Sequence, residues 1–222
     1  MKKFSPLTAG PSTSQNIMVF IKKLGRTVFT THEVVSMSGK SASTVVQSLN
    51  RLARQGLLIK VCRGVWAEAT ARGLSPFEII PYLFPRQRVY VSFITALHLH
   101  GIVEQIPRVI TLASTAHTSA IRTRVGVFSV HQIAPVFFAG FDWYKGEGSF
   151  LIAQPEKALV DSLYLSSRKK KQFGHFPELH FPSEFSFKKA AHWVERIPEK
   201  TIRRYVLERL KIVEGQTSAF SS

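Results

Sequence analysis

The sequence predicts an α+β protein in two parts, and three observations support that prediction. Residues 27–69 contain in order a short helix, a tight turn, a longer amphipathic helix and two short apolar runs. Residues 86–213 alternate between strand-like and helix-like apolar patterns, which indicates a mixed α/β region with a small sheet and terminal helices. The length of 222 residues suits one large domain or two small ones.

The first elements are marked by apolar periodicity and by a capping signal. Apolar residues recur at helical spacing over residues 17–24, and Gly25 ends that first helix. Residues 27–29 suggest a brief strand that pairs with the later hairpin. Thr30 and Glu33 then have the spacing of a capping box, in which each side chain bonds to the other's backbone N–H. A second helix is therefore expected from this point.

A turn separates that helix from a longer one over residues 42–55. Gly39 ends the shorter helix because glycine tolerates the left-handed conformation of a sharp turn. Ser41 is the expected N-cap of the longer helix, and Gly56 stops it. The apolar face of this helix consists of Val45, Leu49 and Leu52, flanked by Val46 and Ala53.

Two short strands, residues 57–61 and 65–69, follow the longer helix. Residues 62–64 lie between them, which places Arg63 at the tip of a hairpin. This order of elements predicts a winged helix-turn-helix over residues 14–70, after a loose arm at 1–13. The alternative interpretation is an ordinary helix pair with a polar surface. The order of the elements, the position of the turn and the scarcity of acidic residues, two in 27–69, together argue against it.

The polar face of the longer helix is the predicted DNA-binding surface. Three side chains are expected to reach base edges in the major groove: Thr44, Gln47 and Ser48. Four cations are expected mainly to contact phosphates: Lys40, Arg51, Arg54 and Arg63. The set is completed by Ser41, Ser43 and Lys60.

The charge is concentrated at the two ends of the chain. The net charge is +16, from 30 Lys and Arg against 14 acids. Residues 1–75 hold 11 bases and 2 acids (11 − 2 = +9), residues 76–166 hold 7 and 6 (7 − 6 = +1), and residues 167–222 hold 12 and 6 (12 − 6 = +6). A polyanion would therefore be steered to the ends.

The remaining segments complete the predicted domain map. Residues 71–85 carry one glycine and three prolines and are expected to be a linker, with a helical turn near 76–80. Residues 86–213 form the second domain, with strands at 109–114 and 121–130 and a hairpin over 141–153. A helix is expected from Pro155. Residues 168–171 are a basic run in a loop, and 214–222 a disordered tail.

The sequence lacks the residues that nuclease, metal-binding and cofactor-binding sites require. The chain has two aspartates and no closely spaced carboxylate pair, so a two-metal nuclease is disfavoured, although Pro155-Glu156-Lys157 resembles part of a restriction-type nuclease core. The histidines do not have the spacing of a metal helix, and no cofactor-binding loop is present. We therefore expect no enzyme activity, no metal and no cofactor.

Location and membrane association are predicted from two features. The single Cys62 rules out an internal disulfide and fits a reducing cytoplasm. No apolar run is long enough to span a bilayer, so we expect no membrane partner.

Two runs in the second region resemble a known family. These are residues 90–101, YVSFITALHLHG, followed by Val109-Ile110-Thr111, and residues 150–164, FLIAQPEKALVDSLY. The segments FPELHFP and ERIPEKTIRRYVLERL are also similar. Together they resemble the C-terminal domain of AbiEi antitoxins, which belong to type IV abortive-infection toxin–antitoxin pairs. The resemblance extends over roughly residues 14–213.

The resemblance implies a cytoplasmic repressor that binds inverted repeats in its own promoter. It also implies an antitoxin that counteracts a nucleotidyltransferase-like toxin, without requiring a stable complex. Two alternatives remain open: a nuclease fused to a DNA-targeting winged helix, and an RNA-binding basic protein.

Overall fold

Two units make up the part of the chain that the structure describes. The structure is a computed structural model, and it describes residues 13–69, 74–146, 149–168 and 177–220. The first unit comprises Met1–Leu83 with Thr123–Val125, and the second comprises Phe84–Arg122 with Gly126–Ser222. Residues 1–12 of the predicted arm and residues 169–171 of the predicted basic run lie outside the described residues.

Between residues 13 and 69, the described part of the first unit contains three helices and a three-stranded antiparallel sheet. In chain order these elements are α1 (Thr13–Lys23), β1 (Val28–Thr30), α2 (Thr31–Ser38), α3 (Ala42–Arg54), β2 (Leu58–Cys62) and β3 (Val65–Glu68). The strands lie in the order β1-β3-β2. The predicted pairing of the brief first strand with the hairpin is therefore confirmed, with Phe29 opposite Trp66.

Local signals fix the ends of α2 and α3 as the sequence predicted. The Glu33 backbone N–H donates to the Thr30 hydroxyl at 3.2 Å, and the Thr30 N–H donates to the Glu33 carboxylate at 2.7 Å, which completes the capping box. Gly39 ends α2 with a φ of 64°, a conformation that favours glycine. The Ser41 hydroxyl accepts from the Thr44 N–H at 3.3 Å and so caps α3.

One apolar cluster holds these elements together. It includes Ile17 and Ile21 of α1, Leu49 of α3 and Trp66 of β3, all buried. The Trp66 indole N–H donates to the Thr31 hydroxyl at 2.9 Å, so the largest side chain of the cluster also has its polar atom satisfied. The inner face of α3 packs into this cluster, and the outer face of that helix is therefore exposed to solvent.

The helical turn predicted near 76–80 in the linker is confirmed, and it continues as a helix to Leu83. A 3₁₀ helix at Pro76–Ile79 is followed by α4 at Ile80–Leu83, and both belong to the first unit. Prolines begin and interrupt this segment. It is nevertheless held in place by two buried apolar side chains, Ile79 and Ile80. Residues 71–73 of that predicted linker lie outside the described residues.

The second unit contains a six-stranded mixed sheet with four helices in its described residues. Its strands are β4 (Val89–Val91), β5 (Val109–Ser114), β6 (Ser119–Arg122), β7 (Val127–Gln132), β8 (Phe141–Trp143) and β9 (Leu151–Ala153). Its helices are α5 (Phe93–Leu99), α6 (Pro155–Arg168), α7 (Phe187–Glu195) and α8 (Lys200–Phe220). The strand order is β6-β7-β5-β4-β9-β8, with β4–β9 and β5–β7 parallel.

The second unit departs from the sequence expectation in three places. The single strand expected at 121–130 is two antiparallel strands, β6 and β7. Strand β4 was missed because all three of its residues are buried and give no alternation. The disordered tail predicted for 214–222 is wrong over 214–220, where α8 continues to Phe220. A lone Gly215 does not break that helix, and the Thr217 hydroxyl donates to the Val213 carbonyl at 2.9 Å.

Candidate nucleic-acid interface

The two faces of α3 differ sharply in chemistry. Val45, Leu49 and Leu52 point into the apolar cluster. Successive residues are rotated by about 100° around a helix, so the opposite face gathers residues spaced three and four apart. That outer face is exposed at Ser43, Val46, Gln47, Arg51 and Arg54, with Asn50 half-exposed.

Hydroxyl groups crowd the N-terminal end of α3. The Ser41 hydroxyl lies 3.0 Å from that of Ser43 and 2.8 Å from that of Thr44. These contacts order the first turn of the helix and orient the Thr44 side chain toward the cap. Thr44 is only half-exposed, so Gln47 presents its polar group to solvent more freely than Thr44 does.

Ser48 does not lie on the outer face. Its side chain is 3% exposed, and the prediction that it reaches base edges is wrong. Ser48 follows Val45 by three residues and precedes Leu52 by four, which puts it on the buried stripe of the helix. The polarity of the residue suggested the outer face, whereas its spacing already indicated the inner one.

The hairpin adds two exposed cations near this helix in the sequence. Arg63 occupies the turn between β2 and β3, and Gly64 beside it has a φ of 80°, which favours glycine. The Lys60 ammonium lies 5.4 Å from the centre of the Trp66 ring, so the aromatic face helps to hold this exposed side chain. Burial raises the pKa of the Cys62 thiol, so that residue adds no negative charge to the hairpin.

The two acidic residues of 27–69 both form ion pairs with cations outside α3. The Glu33 carboxylate pairs with Arg26, and the Glu68 carboxylate pairs with Lys22 at 2.6 Å. Five other cations have no carboxylate partner among the described residues: Lys40, Arg51, Arg54, Lys60 and Arg63. The positive charge on the turn, α3 and the hairpin is thus left uncompensated within the part of this unit that the structure describes.

In the second unit a charged pair is sealed inside the protein. The Lys157 ammonium pairs with the Asp161 carboxylate one turn further along α6, and both side chains are 0% exposed. Asp161 also accepts from the Tyr90 hydroxyl at 3.0 Å and from the Ser92 hydroxyl at 2.7 Å. The Lys157 ammonium lies 3.7 Å from the centre of the Phe137 ring. This network was missed in the sequence, although two charges four apart in an apolar helix were its signal.

Burial shifts the pKa values of two residues in this network, Lys157 and Tyr90. Desolvation lowers the pKa of the Lys157 ammonium, although the neighbouring Asp161 carboxylate opposes that shift. Desolvation and the same carboxylate raise the pKa of the Tyr90 hydroxyl well above its usual range. Near neutral pH the network therefore keeps Tyr90 protonated and able to donate.

The remaining residue of the Pro-Glu-Lys motif has a structural partner. The Ser186 backbone N–H donates to the Glu156 carboxylate at 3.2 Å, at the N-terminal end of α7. The Lys189 ammonium lies 3.9 Å from the same oxygen. Glu156 and Asp161 therefore serve different neighbours. Within the described residues, no three His, Cys, Asp or Glu side chains are grouped so that they could hold a metal ion.

These observations define an α+β protein whose N-terminal unit exposes a cationic helix and hairpin. The family model described as "Transcriptional regulator, AbiEi antitoxin" matches residues 23–69. The matched segment contains β1 to β3, α2 and α3. The family resemblance found in the sequence is confirmed there. The search of curated proteins found no match.

None of the helices in the described ranges combines the length and apolar character needed to cross a bilayer.

Proposed function

We propose that the chain is a transcriptional regulator whose first unit is a winged helix-turn-helix that binds double-stranded DNA. In this proposal α2 and α3 form the helix-turn-helix, α3 enters the major groove, and the β2–β3 hairpin is the wing. The order of elements and the match over residues 23–69 support the assignment.

The distribution of charge is the observation that carries the proposal. Both carboxylates of residues 13–69 pair with Arg26 and Lys22, while the cations of the turn, α3 and the hairpin have no carboxylate partner among the described residues. A surface of this kind gains affinity for a polyanion by releasing the counterions of its phosphates.

The side chains on the outer face of α3 are assigned two roles, contact with base edges and contact with phosphates. Gln47 is exposed at the middle of the helix, where its amide can pair with the N6 and N7 atoms of adenine. Arg51 and Arg54 lie one and two turns further along and are assigned to phosphates. Arg63 reaches a neighbouring phosphate from the wing. Thr44 is kept as a base-edge residue with a smaller role.

We further propose that the regulator represses its own operon by binding inverted repeats in the promoter. The family description of the matched segment combines regulation with an antitoxin role. We assign the antitoxin role to the second unit, acting against a nucleotidyltransferase-like toxin without a stable complex. The resemblance of residues 90–101 and 150–164 to AbiEi C-terminal domains supports this assignment.

We propose no enzyme activity for this chain. The carboxylates that a nuclease would use are engaged elsewhere, because Glu156 accepts from Ser186 and Asp161 is enclosed with Lys157, Tyr90 and Ser92. Purified full-length chain is expected to leave supercoiled plasmid intact in the presence of Mg²⁺. Nicking that disappears in a Glu156→Gln variant would contradict this part of the proposal.

The DNA-binding proposal is tested with the full-length chain and three probes of equal charge. These probes are a duplex from upstream of its own gene, a duplex of scrambled sequence and a structured RNA hairpin. We expect binding to decrease in that order in a titration at fixed salt. Equal or tighter binding to the RNA would favour an RNA-binding protein instead.

The antitoxin proposal has its own test. The chain is co-expressed with any nucleotidyltransferase-like protein encoded by the neighbouring gene, and growth is measured. We expect the full-length chain to restore growth and no complex to survive size-exclusion chromatography. Failure to restore growth would remove the antitoxin role and leave the regulator role standing.

A further inference from the structure

One side chain on the outer face of α3 has no role in the proposed function, which assigns others to base edges or to phosphates. Val46 is 37% exposed, although the apolar pattern of the sequence placed it beside the buried stripe. It is rotated by about 100° from the buried Val45, and so it joins the solvent-facing side of the helix. Its neighbours there are polar, namely Ser43 three residues before it and Asn50 four residues after it.

Helix propensity does not explain a valine at this position. A β-branched side chain loses rotamer freedom in a helix, and an exposed site favours straight-chain residues. The stiffness of valine has one advantage at a surface that binds DNA, because its two γ-methyl groups are held outward in a nearly fixed direction. An apolar group that faces the major groove has one apolar counterpart on the base edges, the C5-methyl group of thymine.

The two amides near Val46 favour the same kind of base pair. Gln47 is adjacent to Val46, and Asn50 lies one turn away, both with side chains that match the N6 and N7 atoms of adenine. A G·C pair offers no methyl group for Val46 and favours arginine or lysine over an amide. The middle of α3 therefore presents the complement of an A·T pair.

We infer that Val46 is a specificity-determining residue that packs against the C5-methyl group of a thymine in the operator half-site. The inference rests on the proposed function, since it requires α3 to lie in the major groove. It adds to that proposal the kind of DNA sequence that is bound, namely a half-site with an A·T pair opposite the middle of the helix.

The test replaces single thymines by deoxyuridine, which removes the methyl group and leaves base pairing unchanged. The probe is a short duplex selected by the full-length chain from a random-sequence pool. At one thymine per half-site, the substitution is expected to weaken binding by about 4-fold, the value for one buried methyl-sized group. In Val46→Ala the two probes should bind alike, because the γ-methyl groups are gone.

Two further variants keep the test decisive. Val46→Ile retains the apolar contact and should retain the preference for thymine over deoxyuridine. Val19→Ala makes the same change at a valine of α1 that is 52% exposed, and it should leave the preference unchanged. Circular dichroism of each variant checks that it is folded.

The outcomes separate this inference from the proposed function. If no thymine position distinguishes the two probes, or if Val46→Ala keeps the preference, Val46 does not read thymine while DNA binding stands. If the full-length chain selects no duplex from the pool, the DNA-binding proposal fails and the inference fails with it.

Discussion

The two units use charged side chains in opposite ways. In the first unit the cations of α3 and the hairpin are exposed and lack carboxylate partners among the described residues, while Glu33 and Glu68 pair with Arg26 and Lys22, which lie outside α3 and the hairpin. In the second unit Lys157 and Asp161 are fully buried and satisfy each other. An exposed charge costs little to maintain and can exchange its counterion for a ligand. A buried charge has lost its water and is retained only with a complete set of partners.

This contrast shows why basic residues can have different roles in the two units. The positive charge of the first unit is accessible to a polyanion, and its removal should change binding more than stability. The buried pair of the second unit is inaccessible, and its disruption should change stability first. Each prediction below tests one side of the comparison.

The largest effect is expected when the buried pair is broken. Asp161→Asn leaves the Lys157 ammonium enclosed with no opposite charge, which should cost about 3–5 kcal/mol of the free energy of unfolding. Urea unfolding followed by tryptophan fluorescence measures the loss, since the Trp193 ring lies 5.9 Å from the Lys157 ammonium. Asp142→Asn changes the other aspartate, which is exposed, and should cost less than about 0.5 kcal/mol. Equal losses in the two variants would mean that the pair is not structural.

A smaller effect is expected from the amide at the middle of α3. Gln47→Ala should remove about 1–3 kcal/mol of discrimination at one base position and leave binding to random duplex nearly unchanged. The ratio of affinities for the promoter duplex and the scrambled duplex measures this effect at fixed salt. Gln87→Ala, an exposed glutamine of the second unit, is the control. An unchanged ratio in Gln47→Ala would contradict the groove assignment.

The loss of one phosphate contact should be seen in the salt dependence. Arg51→Ala is expected to weaken binding to every duplex alike and to lower the log–log slope of affinity against salt by about 0.9. Lys23→Ala removes the same charge from α1 and should leave the slope unchanged. If both variants lower the slope equally, the interaction is with the net charge of the unit and not with α3.

The smallest predicted effect is a pH dependence of the weakened second unit. Without the Asp161 carboxylate, burial lowers the pKa of Lys157 further below its unfolded value. Between those two pKa values the unfolded chain binds more protons, so the stability of Asp161→Asn should rise with pH. Urea unfolding at about pH 7 and about pH 9 measures this, below the range where Tyr90 titrates. A flat or falling profile, relative to the wild-type chain, would show that Lys157 does not titrate in this window.

The elements of the first unit could be read from the sequence because local interactions fix them. Thr30 with Glu33, Gly39 and Ser41 act over a few residues, and the structure places each of them as the sequence predicted. Ser48 was misplaced because residue type was given more weight than spacing. Val46 was expected to flank the apolar stripe, and the structure leaves it 37% exposed.

The second unit depended far more on contacts between distant residues. Strand β4 lies between β5 and β9, and its three buried residues carry no alternation that a sequence pattern could detect. The network of Asp161 joins Tyr90 and Ser92, about 70 positions earlier in the chain, to Lys157 on its own helix. Such separations are closed only by the sheet topology.

The amino-acid sequence alone determined where α2 and α3 begin and end, the excess of cations at the N-terminal end and the scarcity of carboxylates, because these depend on composition and short-range bonds. The tertiary structure decided which of those cations remain without a partner and which polar residues are buried. The physical reason is that exposure and ion pairing are set by the neighbours that folding brings together, as with Lys22 and Glu68, and these are 46 positions apart in the chain.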